Sequence, residues 1–111
     1  NVIWQRDAID HTIRSLDLTG SPAVPVNITG PGVLSVRQLA TRFGEIFGRP
    51  ATFAGREADT AWLNNAAASH RRFGTPLTSV EQMQQWIAAW LRHDGPTWGK
   101  PTGFEQREGK F

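Results

Sequence analysis

The sequence has no cysteine, no tyrosine and a single methionine. Without cysteine, disulfides and thiolate metal sites are excluded, and a cytoplasmic location is the expectation. Without tyrosine, no phenol is present to act as an acid or base. Neither a GxGxxG nor a GxxxxGK phosphate loop occurs, and there is no GxSxG nucleophile elbow. No apolar run approaches the roughly 20 residues of a membrane span. Charge is also sparse. Twelve basic against ten acidic residues leave a formal +2, a weak nucleic-acid signature, so no nucleic-acid partner is expected. His11, His70 and His93 each stand without a second ligand at metal-binding spacing. The chain is therefore expected to hold no catalytic residue, no cofactor of its own and no metal.

What is present is enough for one folded domain. Hydrophobic residues make up 39% of the 111, including five Trp and six Phe, so a core is expected. Ten of the twelve basic residues are Arg, which favours phosphate or carboxylate partners. The clearest stretch is Val24 to Gly48. Val24, Val26 and Ile28 alternate with Pro25 and Asn27, the period of a strand. Thr29-Gly30-Pro31-Gly32 breaks it. Ser35 and Gln38 form a capping box, with Leu34 and Leu39 placed to staple across it. Val36, Leu39, Ala40, Phe43, Ile46 and Phe47 then share one helical stripe, closed by Gly48 and Pro50.

Around this unit, Asn1-Val2-Ile3-Trp4 reads as a short strand passing directly into a helix over Gln5–Leu16, with Ile9, Ile13 and Leu16 at i, i+4, i+7. Strand, helix and strand in succession imply a βαβ crossover with a parallel strand pair. Ala51–Gly55 reads as a short edge strand. A third helix opens at Asp59 or Thr60 and runs to Phe73, with Trp62, Ala66, Ser69 or His70, and Phe73 inward. A fourth opens at Thr78 or Ser79, each with a capping partner three residues on, and carries Met83, Trp86, Ile87, Trp90 and Leu91. The expected class is a small α/β fold of that strand pair, edge strand and three to four helices. Residues 1–95 form a lobe and 96–111 an extended tail anchored by Trp98, Phe104 and Phe111.

Three places suggest ligand contact, each with a plainer alternative. Trp4-Gln5-x-Asp7 would lie at a strand end, where α/β folds bind ligands, or would only fill the core and start a helix. Arg71-Arg72 would hold an anion or form a solvated face. Thr29-Gly30-Pro31-Gly32 would offer backbone N–H groups to phosphate or form a simple turn.

The order of motifs resembles a known family. Val2-Ile3-Trp4-Gln5-Arg6-Asp7-Ala8 is similar to the V-x-V-x-D-x-A segment of the NAD-dependent epimerase/dehydratases, the extended short-chain dehydrogenases. Val26-Asn27-Ile28-Thr29-Gly30 with Leu34–Leu39 resembles their x-N-I-G and L-S-V-R-E-L segments. Asn65–Pro76 resembles D-x-S-K-A-R-x-x-L-G-W-x-P, and Thr78–Met83 with Trp86 and Trp90 resembles the last helix. The four cover residues 1 to about 92 in the family's order.

The resemblance implies the C-terminal substrate-binding lobe of such an enzyme. An upstream Rossmann domain would carry NAD or NADP and the catalytic Tyr-x-x-x-Lys. Trp4, Gln5, Asp7, Asn27 and Arg72 would contact a sugar-type substrate. The replacement of D-x-S-K by Asn65-Ala66-Ala67-Ala68 leaves a nucleotide sugar, a simpler sugar, a sugar acid or a lactone open. Two other readings remain: a freestanding binding module using Arg and exposed Trp, and an oligomerisation piece associating through an apolar face of the lobe.

Overall fold

The computed structural model describes residues 1–101. It is built from four α-helices: α1 (Gln5–Arg14), α2 (Val36–Phe47), α3 (Ala67–Phe73) and α4 (Val80–Arg92), with a 3-10 turn over Ser15–Leu18. Among the described residues there is no strand. The expected α/β fold, with its βαβ strand pair and edge strand, is thereby corrected to an all-helical one. Residues 102–111, with the expected anchors Phe104 and Phe111, lie outside the described residues.

Alternation at Val24, Val26 and Ile28 specifies extended backbone, but a strand also needs a ladder of backbone partners. Among the described residues no such ladder forms over 24–28, and the loop that follows is held by side chains. His70 Nε2 donates to the Thr29 carbonyl at 2.8 Å, and Asn1 Nδ2 to the Gly30 carbonyl at 3.3 Å. Gly30 runs so close to Val2 that a Cβ there would overlap the Val2 carbonyl oxygen. Residues 51–55 are likewise tied to α2 by side chains: the Arg37 guanidinium lies 4.2 Å from the Phe53 ring centroid and pairs with Glu57 at 2.6 Å.

The helices follow their local signals closely, with one exception. In α2, Ser35 Oγ accepts the Gln38 N–H at 3.3 Å, and Gly48 closes the helix at φ 64°, a conformation that favours glycine. Ser79 rather than Thr78 caps α4, accepting the Gln82 N–H at 3.1 Å. The exception is α3, which begins at Ala67 instead of Asp59 or Thr60. The backbone of Asn64 is held outside a helix by the Asn1 side chain, which donates to its carbonyl at 2.7 Å and accepts its N–H. Asn65 Oδ1 then accepts the Ala67 N–H at 3.0 Å and starts the helix there. Trp62, expected inward, is left 61% exposed, whereas Ala66, Ser69 and Phe73 are buried as the spacing implied.

The helices pack in two pairs, α1 with α3 and α2 with α4. Between α2 and α4, Gln84 donates to the Leu39 carbonyl, and Arg92 to the Ile46 carbonyl while lying over Phe47. The buried apolar residues are few: Ala66, Phe73, Met83 and Ala88. The heavy stripe expected of α4 is only half covered, with Trp86 and Ile87 each 42% exposed. Accessible surface totals 9266 Å², against roughly 6100 Å² for a compact monomer of this mass. Even a fully exposed ten-residue segment would add only about 1600 Å². Much apolar surface of the lobe is open.

Candidate functional site: a polar groove between the first and last helices

α1 turns a polar edge toward the rest of the lobe. Asp7 and His11, one turn apart, are its two buried residues, and Asp10 and Arg14 flank them on the same side. Opposite runs the connection from Gly74 to Thr78, followed by Gln82 and Trp86 of α4. Between these walls lies a groove of about 700 Å³.

Two contacts set its shape. Asp7 Oδ2 accepts the Thr78 N–H at 2.9 Å, joining segments 71 residues apart. Trp4 meets Trp86 with ring centroids 5.0 Å apart at 57°, a tilted pair. At the far end, Arg14 donates to the Phe73 carbonyl at 2.6 Å, lies over the Phe73 ring and pairs with Asp10 at 3.3 Å. Arg6 and Arg14 line the groove together with Asp7 and Asp10, so the charged lining is balanced. Guanidinium and carboxylate groups beside aromatic faces provide donors and acceptors for a neutral, hydroxyl-rich ligand and an apolar surface for its carbon skeleton.

His11 is 3% exposed, and its Nδ1 has no hydrogen-bond partner among the described residues. Its ring lies 6.3 Å from His70 and 5.5 Å from Phe73. Among the described residues no group of three or more metal-ligating side chains gathers, and no helix is long and apolar enough to cross a membrane. At the mouth of α4, the Glu81 carboxyl is held below the ordinary glutamate value by its own backbone N–H, and further by the Ser79 side chain.

Of the residues expected to contact substrate, the structure places Asp7 in the lining of this groove and Trp4 outside the lining, behind Trp86. Asp7 is engaged in holding the α4 entry, and Trp4 backs the wall through Trp86. Gln5 is exposed and outside the lining. Asn27 is away from it, donating to the Asn65 carbonyl at 3.1 Å, and Arg72 is exposed on α3. Arg6, Asp10, His11 and Arg14 line the groove without being indicated by the apolar spacing of Ile9, Ile13 and Leu16. Their signal was a second period on the same helix: Asp7, His11 and Arg14 at i, i+4, i+7.

No family model, curated protein or solved structure matches the chain.

Proposed function

We propose that the chain is a non-catalytic substrate-binding lobe of an NAD(P)-dependent epimerase, dehydratase or reductase acting on a sugar-type substrate, with cofactor and catalytic residues on the parent's cofactor-binding domain. The observation that carries this reading is the meeting of all four motif segments. Val2 touches Gly30, Thr29 accepts from His70, Asp7 accepts from Thr78, and Trp4 packs on Trp86. Segments that resemble one family in order thus meet in one body, and the mixed polar and aromatic lining of the groove between α1 and α4 suits a hydroxylated ligand. The parent domain would close over the groove rim, where Leu77 is 92% exposed.

Calorimetric titration of the 111-residue chain with NAD⁺ and NADP⁺, together with a turnover assay on sugar substrates, tests the division of labour. Neither cofactor binding nor turnover is expected. Cofactor-dependent turnover by this chain alone would overturn the proposal.

A further inference from the structure

We propose that Trp86 is the stacking platform of the groove, so that the site takes a closed pyranose ring in preference to an open-chain polyol. The inference rests on the substrate-lobe reading and names the form of sugar that the groove selects. Of the two tryptophans of α4, Trp86 lines the groove and is 42% exposed. Trp90, one turn on, is occupied by its own chain. Its Nε1 donates to the Pro96 carbonyl at 3.1 Å, and Gly95 lies so close to the indole that a Cβ there would overlap the ring. Trp86 is held from behind by Trp4, whose ring meets it at 57°. One tilted neighbour fixes the plane of the indole and covers at most one of its faces. Gln82, one turn before Trp86, also lines the groove, so this side of α4 sets an amide beside an aromatic face.

The ligand chemistry follows from that pairing. A pyranose with equatorial hydroxyls turns axial C–H bonds to each face and directs its O–H groups outward from the rim. Its weakly positive C–H face suits the negative face of an indole, while the rim stays available for hydrogen bonds. Partners for the rim line the same groove. Arg14 uses Nη1 on Asp10 and on the Phe73 carbonyl, which leaves its Nε and Nη2 donors. Arg6 belongs to none of the ion pairs among the described residues. From Asp7 to Arg14 the helix advances about 10 Å, enough for a ring at the Trp86 end with its rim turned toward Arg14. A hexitol carries similar hydroxyls but has no fixed face, and it must freeze its carbon–carbon torsions to lie flat. The ring has already lost that freedom.

An NMR titration of the labelled chain tests this, following backbone amides and indole N–H signals. The ligands are the methyl pyranosides of glucose, galactose and mannose, each beside its hexitol. The Trp86 indole signal is assigned by its loss in Trp86→Phe. At least one glycoside is expected to shift that signal to saturation and to bind at least about tenfold tighter than its hexitol. Trp86→Leu should weaken that glycoside about tenfold, whereas Trp86→Phe, which keeps an aromatic face, should weaken it only about two- to threefold. Should Trp86→Leu lose its far-UV helix signal, the indole shift and Trp86→Phe still decide. A glycoside that shifts groove amides but leaves the Trp86 indole unmoved would overturn the platform and leave the substrate-lobe reading standing. A hexitol that binds as tightly as its glycoside would do the same. Groove amides unmoved by every one of these ligands would overturn that reading, and the platform with it.

Discussion

Asp7→Ala should destabilise the lobe far more than Asp10→Ala, three residues along the same helix. Asp7 is 8% exposed, and its carboxylate accepts the Thr78 N–H at 2.9 Å. Removing it leaves that donor without a partner in a half-buried position, a cost of about 1–3 kcal/mol. For a domain of this size 1 kcal/mol moves the melting temperature by roughly 4–8 °C, so a mid-range loss lowers it by about 8–16 °C. Asp10 pairs with Arg14 at 3.3 Å, its side chain 59% exposed, and such pairs contribute about 0–1 kcal/mol. Asp7→Asn keeps an acceptor oxygen but loses the charge, and should fall between the two. Thermal melts followed by far-UV circular dichroism give all three values. An Asp7→Ala melt within about 2 °C of wild type would refute the argument that this hydrogen bond joins the first and last segments.

Other expectations follow from the same geometry. Gly30→Ala should cost about 1–3 kcal/mol by forcing the chain away from Val2, while Gly32→Ala, whose Cβ would meet only the Leu34 side chain at 3.6 Å, should cost little; denaturant titration of the pair checks the contrast. Glu81 should titrate below the ordinary glutamate value by NMR, and Ser79→Ala should move it upward. A lowered folded-state value means its contribution is present above the unfolded-state value and lost as pH falls through the folded one. His11→Leu removes a buried nitrogen without a hydrogen-bond partner and should be neutral or stabilising by about 1 kcal/mol; a loss above about 2 kcal/mol would indicate that Nδ1 is satisfied in solution.

What was legible in the sequence was what a few neighbouring residues decide. Ser35 with Gln38, Gly48, and Ser79 with Gln82 fixed both ends of α2 and the start of α4, because a cap needs only its own turn. The strands failed for the opposite reason. Val24 to Ile28 has the right alternation, but pairing is set by distant groups, and among the described residues no partner strand lies beside it; His70 and Asn1 hold only the Thr29 and Gly30 carbonyls of the loop that follows. The start of α3 was hidden likewise, since Asn64 is held by a side chain 63 residues away. On α1 two stripes competed, and the apolar one drew attention although the polar one faces inward. Asp7 was recognisable as a helix-start carboxylate, but nothing local pointed to Thr78. The groove therefore emerged only with the fold.

The most direct test of the substrate-lobe account is an amide NMR titration of the labelled chain, using a nucleotide sugar, a free hexose, NAD⁺ and NADP⁺ in turn. The account predicts that a sugar ligand shifts amides within residues 6–14 and 73–78, and that neither cofactor shifts any. Cofactor-induced shifts, or sugars that leave every groove amide unmoved, would contradict it.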